Sequence, residues 1–297
     1  MLNAPKIKEL GQNLMYSDVE RKTLEKLIGE FEEFKRKSAI IAEAAAKSIS
    51  WSDASLDIEN CNNQFGIFED GTYYGNFCRK RICPMCQRRK SIKTYAELKQ
   101  CVDEIGGSFI LGTFTVKNCT AAELDKTITK MFLAFSELWR EKFKKHFNGC
   151  FRALEVTYNE NRDDFHPHFH CIFSVNKSYF TSRKYLSQAE ILKLWREKFG
   201  GKNGGVDLRK IQDIENGVAE VAKYCVKPFD ISDENLTARL LDNLFKTLKN
   251  RRLIQTYGNI KAALTKIFEE YESAEKRSAA DCEKWYIYNK NLGVYEN

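Results

Sequence analysis

The chain holds only four histidines, and three of them, His166, His168 and His170, fall in the single stretch HPHFHCIF. Side chains alternate between the two faces of a strand. His168, His170 and Ile172 would therefore share one face, and Phe169, Cys171 and Phe173 the other. Two imidazoles spaced this way stand roughly 7 Å apart along the backbone. They can converge on one ion or one phosphate, and neutral imidazole is a common ligand for divalent metals. The plainer use of the same pattern is a row of hydrogen-bonded histidines on a half-exposed strand.

A second constellation is built from sulfur. Cys83-Pro84-Met85-Cys86 is a CPxC knuckle, with Cys78 five residues before it and Cys61 further back. Four thiolates are what a closed tetrahedral zinc site requires, and the two-residue gap lets Cys83 and Cys86 grip one ion. A redox dithiol is the competing use of CxxC, but no βαβ pattern surrounds it and further cysteines lie close by. Cys101, Cys119, Cys150, Cys171, Cys225 and Cys282 are expected to be packing residues.

A third constellation lies in DIENGVAEVAKYCVKP, residues 213–228. At helical spacing Ile214, Val218, Val221, Ala222 and Cys225 form an apolar stripe, and Glu220, Tyr224 and Lys227 lie off it. Glu220 and Tyr224 are four apart and so are neighbours on the helix surface. A carboxylate beside a phenol is a base beside a nucleophile, or else an ordinary polar face.

These residues need elements to hold them. The 297-residue chain, 43% hydrophobic and 30% charged, has the composition of a globular protein. Its net charge of +7 permits a polyanionic partner. The clustering says more: residues 77–93 carry seven basic side chains and no acidic one. Around a metal knuckle, Arg79, Lys80, Arg81, Arg88, Arg89 and Lys90 suggest nucleic acid. No apolar run approaches the roughly 20 residues of a membrane span. The absence of an export signal, with ten cysteines, predicts reduced thiols in a cytoplasm, with some used for metal.

Periodicity predicts an N-terminal helical segment over residues 1–50, opening at Ser17 and carrying Leu24, Leu27, Ile28, Phe31 and Phe34 on one face. A loop-rich, cysteine-bearing and basic module follows, over residues 51–100. Strands are expected at 109–117, 150–158, 166–175, 205–211 and 251–258, with helices at 121–146, 187–199, 214–227 (ended by Pro228) and 234–249. The strands at 150–158 and 166–175 should form a hairpin. The charged tail, 266–297, reads as helical to about Lys284. The expected fold is α+β: an antiparallel-sheet catalytic domain over 101–265 with flanking helices, a small zinc module before it, and helical terminal segments.

CRKRICPMCQRRK, FTVKN, HPHFH and EVAKYCVK, in this order along the chain, together resemble the rolling-circle replication initiators of small bacterial plasmids, members of the HUH endonuclease superfamily. The resemblance runs from Cys78 to Lys261, where RRLIQTYGNIK is similar to the family's closing strand and glycine turn. It implies that His168 and His170 bind a catalytic Mg²⁺ or Mn²⁺. It implies too that Tyr224 attacks a phosphodiester in a single-stranded nick site in a hairpin at the plasmid origin. The products would be a 5′-phosphotyrosine link and a free 3′-hydroxyl for a host polymerase, with a host helicase recruited. Glu220 would activate the water that ends the round. Glu155 is the expected third metal ligand and His166 its competitor, while Lys223 and Lys227 would assist the phenol and contact DNA.

Other readings share some of these residues. HPHFHCI also fits the histidine-triad pattern of nucleotide hydrolases, which leaves the cysteines and the Glu220–Tyr224 helix unexplained. A transposase or mobilisation relaxase would use the same nicking module. A zinc-dependent DNA-binding protein without catalysis would bind and not cleave.

Overall fold

A pair of short strands, β1 (Ile7–Leu10) and β2 (Asn13–Tyr16), precedes the first helix and pairs antiparallel. Four-residue strands are shorter than the window in which alternation can be told from helical spacing. The expectation of a purely helical N-terminal segment is corrected accordingly. The structure is a computed structural model that describes residues 7–10, 13–16, 21–69, 72–224, 237–272 and 278–297; the capping sequence at Ser17 lies outside them. Two compact units share the chain: residues 1–97, 232–242 and 267–297 in one, 98–231 and 243–266 in the other.

In the first unit α1 (Arg21–Ala46) buries Phe31, Lys35, Ser38, Ala42 and Ala45 at helical spacing. After α2 (Ser55–Glu59) comes an antiparallel pair, β3 (Gln64–Ile67) and β4 (Tyr73–Gly75), and then α3 (Pro84–Ile105). The expected loop-rich stretch is therefore largely ordered. Its helix begins at the knuckle's own proline, whose fixed φ and missing N–H suit a first helical turn.

The second unit is built on a five-stranded sheet in which one pair of strands forms a hairpin and the other connections carry helices. β5 (Ser108–Thr115) leads to α4 (Ala121–Glu141), which Thr120 and Glu123 start with a capping box. β6 (Gly149–Asn159) and β7 (Asp164–Val175) form the expected hairpin. α5 (Gln188–Phe199), β8 (Gly205–Lys210), α6 (Ile214–Tyr224), α7 (Ala238–Leu248), β9 (Ile254–Tyr257) and α8 (Gly258–Glu272) follow. The strand order is β8-β5-β7-β6-β9, antiparallel throughout. β7 is thus central and buried along most of its length. On one face Phe169 and Phe173 pack with Phe114, Phe135 and Phe143, and Trp195 of α5 joins them while donating Nε1–H to Thr115 O at 2.9 Å.

The tail differs most from its sequence reading. The helix ends at Glu272, and β10 (Lys284–Asn289) and β11 (Val294–Glu296) return the chain to the first unit as the sheet β11-β10-β3-β4. Alternating aromatics drive the pairing. Tyr286 stacks on Phe65 at 5.1 Å, and Tyr295 meets both Phe65 and Phe31. The charged residues before Lys284 mask this short signal.

One backbone position fixes how β9 passes into α8. Gly258 has φ +57°, and a Cβ there would lie 2.1 Å from Asn148 O. Gly258→Ala is expected to destabilise the protein by roughly 1–3 kcal/mol in urea unfolding. Gly29→Ala, in open space within α1, should be neutral or stabilising.

Candidate metal centres and nucleic-acid interface

The β6–β7 register sets Glu155 opposite His168 and Ala153 opposite His170. Same-face neighbours on paired strands lie about 5 Å apart at Cβ, and the small Ala153 leaves lateral room for the Glu155 carboxylate to reach both rings. Glu155 Oε2 takes hydrogen bonds from His168 Nε2 at 2.7 Å and His170 Nε2 at 3.0 Å. All three side chains are buried, at 4%, 8% and 6% exposure. Burial on its own pushes the Glu155 carboxyl up, but the two imidazole hydrogen bonds outweigh it and the net shift is downward. His168 Nδ1 lies 3.0 Å from His166 O, a contact that orients the ring with Nε2 toward Glu155.

The ligand atoms of Glu155, His168 and His170 lie within 4.8 Å of one another. A buried carboxylate oxygen shared by two imidazole nitrogens is a set that fits a divalent cation, and three protein ligands leave positions open for a substrate oxygen. His166 is not in this group. Its Nδ1 bonds Asn118 Oδ1 at 2.7 Å, and burial lowers its pKa. Asn118 and the carbonyl of His166 are supporting groups that sequence reasoning missed: Asn118 lies 48 residues from its partner, and a backbone carbonyl carries no residue-type signal.

α6 packs against β6 and β7, the strands that carry this cluster. Val218, Val221 and Ala222 are buried as its apolar stripe, and Glu220 is half-buried. Tyr224 is the last residue of α6, and Lys223 stands in the same turn. Lys227, Cys225 and Pro228 lie outside the described residues.

In the other unit the Sγ atoms of Cys61, Cys78, Cys83 and Cys86 lie within 4.8 Å of one another. Cys61 and Cys78 are each 3.6 Å from Cys86. A tetrahedral ion with bonds of about 2.3 Å to sulfur holds its sulfurs about 3.8 Å apart, so the four cysteines fit one. The N–H groups of Cys78 and Arg79 point at the sulfurs of Cys61 and Cys86, at 3.3 and 3.1 Å, and favour thiolates there. Hydrogen bonds from Cys61, Cys83 and Cys86 hold the Cys78 thiol below its ordinary range. Lys35, buried on α1, donates to the carbonyls of Glu59 and Cys61 and to Asn63 Oδ1, which anchors the loop bearing the first ligand. Burial lowers its pKa to about 8. A lysine inside an otherwise apolar helical stripe was its signal. Cys101, Cys119, Cys150 and Cys171 are buried away from this cluster.

The basic run is partly committed to structure. Arg88 pairs with Glu30, Lys80 with Asp57 at 3.0 Å, and the Arg89 guanidinium lies 4.9 Å over the Phe77 ring. Arg79, Arg81 and Lys90 are exposed. Among the described residues no helix is long and apolar enough to cross a membrane.

The profile of the family described as Replication protein matches residues 71–290. A "Protein rep" of Streptococcus pneumoniae serotype 2 is 33% identical over 68% of this chain and 68% of its own length. Another, of Staphylococcus aureus, is 37% identical over 58% of this chain and 82% of its own. A third, of Bacillus amyloliquefaciens, is 34% identical over 63% of each. No solved structure is significantly similar to the chain.

The two clusters make separable predictions. Elemental analysis of protein purified without chelators is expected to find one tightly held metal equivalent. Cys83→Ser should release it, lower the melting temperature and make the remaining cluster thiols reactive toward a disulfide reagent. Glu155→Gln should leave that equivalent in place.

Proposed function

The chain belongs to the Replication protein family, and on that premise we propose that it initiates rolling-circle replication of a plasmid by nicking one strand of the origin. The observation that carries this reading is the convergence of Glu155, His168 and His170 on strands against which the Tyr224 helix packs. Glu155, His168 and His170 would hold Mg²⁺ or Mn²⁺, which when bound supplies Lewis-acid stabilisation to the phosphate oxygens.

The chain's own groups account for the rest. The Tyr224 hydroxyl attacks the phosphorus of the scissile phosphodiester and the 3′-oxygen leaves, so one ester replaces another and no ATP is consumed. The phenol loses its proton and the departing 3′-oxygen gains one. A free phenol has a pKa of about 10, and the Lys223 and Lys227 cations stabilise the phenolate. Glu220, one turn before Tyr224, orients water at the phosphotyrosine when the round ends. Four thiolates with no open position suit a structural Zn²⁺, whose binding contributes directly to folding. The exposed Arg79, Arg81 and Lys90 would contact DNA phosphates, with Arg88, Arg89 and Lys80 contributing to that surface. In the histidine-triad alternative the middle histidine, His168, would be a nucleophile. Its ring nitrogens are instead engaged by Glu155 and by the His166 carbonyl, which weighs against that reading.

The test uses supercoiled DNA carrying the plasmid origin. Tyr224→Phe should bind that DNA normally and lose both nicking and the protease-sensitive adduct, by at least roughly 10³-fold. His168→Ala, or EDTA, should do the same. Glu220→Gln should nick within about tenfold of the parent and slow the hydrolysis that ends the round by about 10²–10⁴-fold. Undiminished nicking and adduct formation by Tyr224→Phe would remove it as nucleophile.

A further inference from the structure

The face of the five-stranded sheet opposite His168 and His170 holds a charge that the strand-cleavage reading does not use. Arg152 sits on β6 opposite Cys171 of β7 and Gln255 of β9, and is 3% exposed. Its guanidinium lies 4.4 Å over the Phe132 ring, 4.5 Å over Phe169 and 5.5 Å over Phe135. A buried guanidinium ordinarily ends on a carboxylate. Among the described residues Arg152 has none, and its Nε and Nη1 are buried without a hydrogen-bond partner. Aromatic faces stabilise the cation but cannot accept its directed N–H groups.

Arg152 lines a cavity of about 280 Å³ together with Ser136, Arg251, Arg252, Gln255 and Tyr257, and among the described residues no acidic one lines it. Arg251 is held rigidly: it donates to Thr247 O, to Thr129 Oγ1 and to Asp125 Oδ1, the last two at 2.7 Å. Arg252 is exposed and reaches Gln255 Oε1 at 3.5 Å. The cavity is thus lined by one nearly fully buried guanidinium with no carboxylate partner among the described residues, a second that is exposed, and neutral hydrogen-bonding groups.

We propose that this cavity binds a phosphate group through Arg152 and Arg252. Guanidinium donors form a fork that matches two oxygens of a phosphate, and such charge-assisted bonds are stronger than neutral ones. The site is separate from the Glu155–His168–His170 cluster because strand alternation places it on the other side of the sheet. It does not rest on the cleavage reading. The phosphate can come from free anion or from the backbone of nucleic acid, and the chemistry of the cavity is the same for both.

The experiment is calorimetric titration and thermal melting of the full chain. The probes are inorganic phosphate, deoxythymidine 5′-monophosphate and a short single-stranded DNA, each against potassium chloride at matched ionic strength. The wild type is expected to show saturable binding and a rising melting temperature with phosphate. Arg152→Met should lose the saturable effect by tenfold or more. Should that variant fold poorly, two others decide. Arg252→Gln, at an exposed position, should weaken binding several-fold with unchanged melting in phosphate-free buffer. Gln255→Glu sets a carboxylate opposite Arg152, so it should raise the melting temperature without phosphate and abolish phosphate binding. Tyr224→Phe should bind phosphate as the wild type does. Tighter binding of the monophosphate or the DNA, lost in Gln255→Glu, would assign nucleic acid as the source; equal affinity would assign the free anion. No phosphate effect beyond the salt control, or full binding by Gln255→Glu, overturns the proposal.

Discussion

The register of β6 against β7 is the constraint on which the second unit depends. It sets Glu155 opposite His168 and Leu154 opposite Phe169. The period of a strand is two, so a slip of one residue would send His168 and His170 into the phenylalanine core and Phe169 and Phe173 to the other face. The large apolar side chains resist that exchange, since burying each one contributes about 1.5–3 kcal/mol. The geometry of the Glu155–His168–His170 cluster is therefore held by the hydrophobic face of the same strand. The packing of Phe169 and Phe173 against α4 and α5 is what makes the Glu155 contacts reproducible.

The two ligand clusters differ in kind. Cys61, Cys78, Cys83 and Cys86 offer four sulfurs and would close the coordination sphere of one ion, which leaves no room for a substrate. Glu155, His168 and His170 offer three harder ligands from two adjacent strands and leave the remaining positions open. The cysteines come from the turn after α2, from the loop after β4 and from the start of α3, three separate segments. The proposed zinc would tie these segments together beside the buried Ile58, Phe77, Ile82 and Met85. The histidines and Glu155 stand on a sheet that is stable through its own packing, as a reactive site requires.

Much of this was legible because it rests on short-range spacing. Alternation in HPHFH marked a strand, the two-residue gap marked the knuckle, and the turn residues after Asn159 marked the hairpin. Glu155 was accessible by one further step, since a hairpin brings its strands' residues face to face. The β10–β11 pair was not legible: three- and six-residue strands carry little periodic signal, and their partner β3 lies more than 200 residues earlier in sequence. Arg152 was hidden for a different reason. In CFRALEV it reads as a polar interruption of an apolar strand, and only the assembled sheet reveals that three phenylalanine rings from two elements surround it. Lys35 left a faint signal, a charge inside a helical stripe whose other members are small or apolar, but its partners Glu59, Cys61 and Asn63 lie 24 to 28 residues away.

The central claim is that Glu155, His168 and His170 hold one divalent ion on the face of the sheet opposite the phenylalanine core. Anomalous diffraction at the manganese edge from crystals of the full chain grown with Mn²⁺ tests it directly. The account predicts a single strong peak on that face, at about 2.0–2.2 Å from Glu155 Oε2, His168 Nε2 and His170 Nε2, with His166 still on Asn118. A peak bound by His166 in place of Glu155, or no peak at this cluster with Mn²⁺ present in excess, would contradict it.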